Sequence, residues 1–249
     1  MSEGCVTVSK GAGAVERDRA RRLAARVGLA FVEPEVAHGR LVVVERAGVR
    51  LVTEAGTIGS HPGMALVRLR RLLRGEEGDL LRNVSGVRAG DRVLDATFGF
   101  GQDALVFAHA VGPQGQVVAV ESSPLLTALA LEGMPRWPAP AGELTGRIEL
   151  AAGDARALLE QAEERSFDLV YFDPMFRRPR SAAPDFVVLR ALANETPLDA
   201  ALLARAAKVA RRAVVVKDAW PGRELERLAI PVTHVRRRAE IVYGLLPVA

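Results

Sequence analysis

The feature that most constrains this chain is a regular alternation that begins near residue 87. Apolar runs suited to strands occur at Arg92–Ala96, Gln116–Glu121, Arg147–Ala151, Phe167–Phe172 and Ala213–Lys217. Helical stretches lie between them at Asp103–Val111, Pro124–Glu132, Ala155–Glu164 and Leu198–Ala210. Strands that are apolar throughout, each followed by a helix, predict a parallel sheet covered on both faces. Two further strand-like runs follow, Val232–Arg236 and Glu240–Leu246, with only Arg237, Arg238 and Ala239 between them. Three residues cannot make a helical crossover, so this last pair must be antiparallel. Five parallel strands closed by an antiparallel pair is not the order of an ordinary dinucleotide dehydrogenase.

The residues ahead of that pattern read differently. Residues 1–12 look frayed, and Ala14–Val27 reads as an amphipathic helix presenting Val15, Leu23 and Val27 and stopped by Gly28. Leu41–Glu45 and Val49–Thr53, joined by Arg46-Ala47-Gly48, read as a hairpin. His61-Pro62-Gly63 breaks the chain before a helix over Met64–Leu73 with Leu66, Leu69 and Leu73 on one stripe, and a short helix is expected at Asp79–Val84. This front part shows no chemistry by itself. The Pro-containing stretch Met134–Gly146 is expected to be an exposed loop reaching toward a partner.

Composition limits the chemistry. Of the 249 residues only Cys5 is cysteine, which excludes an intrachain disulfide, argues against a thiolate zinc site and fits a reducing, cytoplasmic setting. Cys5 sits in a polar, glycine-containing N-terminus, far from any motif, so covalent activation of a pyrimidine by a thiol is not expected. None of the four histidines has metal-ligand spacing, so no metal is expected. No run reaches the roughly 18 apolar residues of a membrane span, and residues at the N-terminus form no apolar h-region, so a secretory signal is not expected. The net charge of +4 is carried almost wholly by arginine and is as compatible with a solvated surface as with a nucleic-acid footprint.

Four segments carry chemistry. In Val93-Leu94-Asp95-Ala96-Thr97-Phe98-Gly99-Phe100-Gly101-Gln102-Asp103 a strand ends in an acid and enters a helix through a glycine loop. Glycines there allow close approach of a ligand. Asp95 and Asp103 flanking the loop would repel a pyrophosphate and suit a cationic ligand such as S-adenosylmethionine, with its ammonium and sulfonium. Glu121 ends the next strand, followed by Ser122, where a carboxylate can accept both hydroxyls of a ribose. Asp154, after Gly153, can accept from the adenine amine or cap the following helix. Finally, Asp173-Pro174-Met175-Phe176 ends the fourth strand. Asp173 and the Pro174 carbonyl can each accept one hydrogen of a planar exocyclic amine while Phe176 stacks on its ring. Catalysis would then be mainly positioning. Lys217, ending the fifth strand, is read as contacting phosphate or base, or simply as reaching solvent from a strand end. Arg177, Arg178, Arg180 and Arg236–Arg238 flank the same edge and suit a polyanion.

The segments LDATFGFGQDA, VYFDPMF, VVVK and RRAEIVYG resemble the 16S ribosomal RNA guanine-N2 methyltransferases of the RsmJ family. They are similar also to Gram-positive relatives of unassigned activity that carry an H-P-x-M-A segment, matched by His61-Pro62-Gly63-Met64-Ala65. The resemblance covers roughly residues 50–249. It implies the Rossmann-like, seven-stranded class I methyltransferase sheet over residues 79–249 behind a small N-terminal α+β lobe of residues 1–78. It implies S-adenosylmethionine as cofactor, held by Asp95, Gly99, Gly101, Glu121 and Asp154, with Thr97, Asp103 and Ser122 beside them. It implies an acceptor held by Asp173, Pro174, Met175 and Phe176, with Arg177, Arg178 and Lys217 on the substrate side, and ribosomal RNA or the small ribosomal subunit as partner. The alternative is a relative that binds S-adenosylmethionine but acts on a small molecule, or serves as a non-catalytic binding protein.

Overall fold

A computed structural model describes residues 4–76, 78–174, 184–193, 196–236 and 240–248. Met175–Arg180, Arg237 and Arg238 therefore lie outside the described residues, as does the side chain of Arg236.

The front part is a five-stranded sheet. It contains β1 (Cys5–Val8), β2 (Ala30–Phe31), β3 (Leu41–Glu45), β4 (Gly48–Thr53) and β5 (Gly56–Gly59), in the order β2-β1-β3-β4-β5, with α1 (Ala14–Val27) packed on it. The expected β3–β4 hairpin forms and is extended by β5 into a meander. Within the stretch expected to fray, Cys5–Val8 is a buried strand that pairs in parallel with both β2 and β3. Its partner β3 is more than thirty residues away, so no local pattern reveals that the run is a strand. Cys5 is consequently an inert buried thiol, and burial pushes its pKa up. In α1 the buried face is Ala20, Leu23, Ala24 and Val27, whereas Val15 is exposed.

Two helices, α2 (Met64–Leu73) and α3 (Leu80–Ser85), lead into the large sheet. α2 buries Ala65, Leu69 and Leu72 and leaves Leu73 exposed, a stripe one residue offset from the one the leucines suggest. That face packs on α4 (Gln102–Val111) in the core of the large sheet. The front lobe in turn shares its core with α5 (Pro124–Gly133) and α8 (Pro184–Leu192) through Leu125, Leu126, Leu129, Val188 and Leu189. Each lobe thus completes its core with helices from the other's sequence.

The large sheet has seven strands: β6 (Arg92–Asp95), β7 (Gln116–Glu121), β8 (Ile148–Ala152), β9 (Phe167–Phe172), β10 (Ala210–Ala219), β11 (Val232–Arg236) and β12 (Ile241–Pro247). Their order is β11-β12-β10-β9-β6-β7-β8. Strands β6 to β10 are mutually parallel. The closing pair is antiparallel as expected, but β12 inserts between β10 and β11 and pairs with both. The remaining helices are α6 (Ala141–Leu144), α7 (Ala155–Gln161), α9 (Ala200–Val209) and α10 (Arg223–Arg227). The stretch 134–146 is not an exposed loop, because Met134, Trp137, Ala141 and Leu144 enter the core. The chain runs outward from β6 through β7 to β8 and returns to β9 on the other side of β6. In such sheets a crevice opens at the carboxyl ends of the strands at this reversal.

Candidate functional site

The crevice is a cavity of ≈ 680 Å³. Three strand ends deliver acids to its wall: Glu121 from β7, Asp154 just beyond β8 and Asp173 just beyond β9. The loop between β6 and α4 supplies Thr97, Phe98, Gly99 and Phe100.

Glu121 is buried, 6% exposed, and its carboxylate is gripped by backbone: Gly99 N–H donates to Oε2 at 2.9 Å and Ser123 N–H to Oε1 at 2.8 Å. Burial pushes its pKa up, and these donors oppose that. Each oxygen keeps lone-pair capacity for a further donor. Gly99 has φ 56°, and a Cβ there would meet only Leu189 Cδ1, at 4.0 Å. This cradle is what a ligand lying against the loop needs. Ser122 lines the cavity next to Glu121. Asp154 lines it while capping α7, accepting from Arg156 N–H at 2.7 Å.

The structure does not bring every expected residue to the wall. Gly101 is absent from it: its φ is 70° and a Cβ would lie 2.5 Å from Phe98 Cζ, so this glycine is needed for the turn and for Phe98 to tuck beneath it. Asp95 also lies behind the wall, 1% exposed, accepting from Thr97 N–H at 3.1 Å. Burial pushes its pKa up to about 8, so the buried position favours the neutral acid over the charged form that would suit a cation.

The other side of the cleft is an ion network. Asp103 Oδ2 accepts from Lys217 Nζ at 3.0 Å and from the Tyr171 hydroxyl at 2.6 Å, and its Oδ1 accepts from Arg68. Lys217 also donates to Asp173 Oδ2 at 2.6 Å. Arg68 further donates to Asp79, its Nε at 2.7 Å. Burial works to raise the Asp103 carboxyl, but the Lys217 and Arg68 charges outweigh it and hold the group well below the usual carboxylate range. Burial likewise opposes the charge on Lys217, and Asp103 and Asp173 overcome it, holding the ammonium protonated. Asp173 is raised, burial outweighing Lys217. Its backbone N–H donates to Thr97 Oγ1 at 2.6 Å, which ties the Asp173-Pro174 turn to the glycine loop. Pro174 lines the cavity beside it. Asp103 is therefore already matched by two cations, rather than awaiting a cationic ligand as the loop sequence suggests. Lys217 does face the cleft, but its charge is engaged by two carboxylates.

Sequence reading missed Arg68 and Tyr171. Arg68 stands on the inward side of α2 between Ala65 and Leu72, which is the one available signal, but its partners Asp79 and Asp103 are 11 and 35 residues away. Tyr171 is fully buried, edge-on to Phe107 with ring centroids 5.2 Å apart. Met175, Phe176, Arg177 and Arg178 lie outside the described residues. Among the described residues no group of histidine, cysteine or acidic side chains is placed to hold a metal, and no helix is long and apolar enough to cross a membrane.

A seven-stranded sheet of this order, with acids at successive strand ends around one cleft, defines the class I S-adenosylmethionine-dependent methyltransferases. The profile of the family described as "Putative SAM-dependent methyltransferase" matches residues 59–237. The chain belongs to that family, and S-adenosylmethionine is its cofactor. The chain is 35% identical over 210 residues to the Bacillus subtilis "Uncharacterized protein YpiP", covering 83% of this chain and 81% of that one. It is 31% identical over 233 residues to a Pseudomonas aeruginosa (strain LESB58) protein named ribosomal RNA small subunit methyltransferase J, covering 84% and 86%. The crystal structure of the SAM-dependent methyltransferase NGO1261 from Neisseria gonorrhoeae superposes with a TM-score of 0.66 at 22% identity, covering 97% and 95%, and shows the same fold. The residues present fit the cofactor: an open glycine cradle, a buried carboxylate with spare acceptor capacity and a wall acid at the next strand end.

Proposed function

We propose that this protein transfers the methyl group of S-adenosylmethionine to an exocyclic base nitrogen of ribosomal RNA, with guanine N2 as the target atom. The observation that carries this reading is the Asp173-Pro174 turn. It stands on the cavity wall with its carboxylate held by Lys217 and its N–H by Thr97. A carboxylate and a carbonyl fixed side by side suit the two hydrogens of a planar amine. The Pseudomonas relative's name supplies ribosomal RNA as the substrate class to test.

In this reading Glu121 takes the ribose hydroxyls, Asp154 the adenine amine, and Thr97, Gly99 and Ser122 the body of the donor. Asp95 and Gly101 act from behind, by shaping the loop, and Asp103, on the wall itself, anchors the ion network. S-adenosylmethionine, when bound, supplies the electrophilic methyl. Asp173 and the Pro174 carbonyl turn the amine nitrogen toward it. Asp173 then takes the proton that nitrogen sheds as it gains the methyl, a task helped by the burial that raises its pKa. Lys217 holds Asp173 in place. Phe176 and Met175 would pack on the base, and Arg177 and Arg178 would meet phosphates. The protein would work in the cytoplasm, where ribosomal subunits are assembled.

The test is tritium transfer from labelled donor to small-subunit RNA isolated from cells deleted for this gene, followed by nucleoside mass spectrometry. N2-methylguanosine is the expected product. Label confined to small molecules, or found on another base atom, would overturn the assignment.

A further inference from the structure

We propose that Arg190 is an anion-binding residue of the donor site, its guanidinium taking the carboxylate of S-adenosylmethionine. α8 and the residue after it form one wall of the cavity, with Phe186, Leu189 and Arg190 on one helix face and Ala193 just beyond its end. Its other side is clamped on the front lobe: Val188 is fully buried in that lobe's core, and a Cβ at Gly56 of β5 would touch Val188 Cγ2 at 3.6 Å. The wall is thus rigidly placed by elements outside the large sheet.

Among the described residues, four cationic side chains line the cavity: Arg68, Arg156, Arg190 and Lys217. Three are matched by carboxylates, Arg68 by Asp79 and Asp103, Arg156 by Asp199, and Lys217 by Asp103 and Asp173. Arg190 differs. Among the described residues no carboxylate pairs with it, and its Nε is buried with no hydrogen-bond partner. A guanidinium cannot shed its proton, and a buried N–H without an acceptor is unfavourable, so the group is arranged for an acceptor that arrives with a ligand.

Its position says which. The donor orientation proposed above places adenine at Asp154 and ribose at Glu121, so the amino-acid arm runs on toward Gly99. Leu189, the residue before Arg190, is the side chain nearest the Gly99 cradle. The carboxylate at the end of that arm is the donor's one anionic group, and a planar fork matches a carboxylate with two parallel hydrogen bonds.

The experiment is calorimetric titration of the full chain with S-adenosylhomocysteine, its decarboxylated analogue and 5′-methylthioadenosine, which lacks the whole arm. Wild type should prefer S-adenosylhomocysteine to the decarboxylated analogue by about 10- to 100-fold, the range of a charge-assisted pair. Arg190→Met should erase that preference while leaving methylthioadenosine affinity within about twofold, and Arg190→Lys should restore part of it. Methylthioadenosine binding also reports a folded site. A wild type indifferent to the carboxylate, or an Arg190→Met variant that keeps the preference, overturns the proposal. So does an unchanged preference with a salt slope for ribosomal RNA reduced by about one, which would give Arg190 to a phosphate. No RNA enters the donor titrations, so their failure is distinct from failure of the RNA reading.

Discussion

The two sides of the cleft satisfy their acids by opposite means. On the β7–β8 side, Glu121 and Asp154 are held by backbone N–H groups within their own turn or from the neighbouring loop. On the β9–β10 side, Asp103 and Asp173 are held by side chains from three other elements, Arg68 of α2, Tyr171 of β9 and Lys217 of β10. Backbone donors cannot swing away, so the first side is a preformed receptor. The second side is a chain of charges, three carboxylates (Asp79, Asp103, Asp173) against two cations (Arg68, Lys217), and each member depends on the next. A buried pair broken at one end leaves an uncompensated charge. The difference teaches that the β7–β8 side tolerates loss of a neighbour, whereas the β9–β10 side transmits it.

That contrast can be tested at four places. Asp173→Ala should lower methyl transfer by about 10²- to 10⁴-fold, the usual contribution of a positioned acid or base, with donor affinity almost unchanged. Single-turnover tritium transfer paired with calorimetry checks it; loss of donor binding would move Asp173 to the other side of the comparison. Arg68→Met should lower stability by about 3–5 kcal/mol, because it strips Asp79 and Asp103 of a shared cation. Denaturant unfolding measures this, and a neutral result would show that the network is not coupled.

Glu121→Ala should weaken S-adenosylhomocysteine binding by about 2–3 kcal/mol, the worth of a charge-assisted contact, without touching the Asp173–Lys217 pair. A comparable loss of turnover at saturating donor would mean that the two sides communicate. The smallest effect concerns Asp95. Burial pushes its folded pKa up to about 8, above the ordinary 3.8 of an aspartate, so the folded state holds a proton that the unfolded chain releases. Stability is therefore lost as pH rises between those values, by about 1.4 kcal/mol per pH unit. Asp95→Asn, which can still accept from Thr97 N–H, should remove this slope. Denaturant unfolding of both proteins at pH 6 and pH 7 should show a gap that widens by about that amount; parallel lines would place Asp95 among ionised acids.

The residue pattern alone was enough for the strand–helix alternation, the parallel sheet, the antiparallel closing pair and the identity of Glu121, Asp154 and Asp173 as strand-end acids. These follow from local physics: a fully apolar strand can only be covered on both faces, and an acid at its end can only sit where the sheet stops. Tertiary structure decided the rest. β1 became a strand because β2 and β3 flank it. Asp103 turned from a bait for cations into the hub of an ion network because Arg68 and Lys217 arrive from 35 and 114 residues away. Asp95 is pushed toward its neutral form by a burial that nothing in its own segment announces. Pairing and burial depend on residues distant in the chain, and a linear pattern records only what neighbours impose on one another.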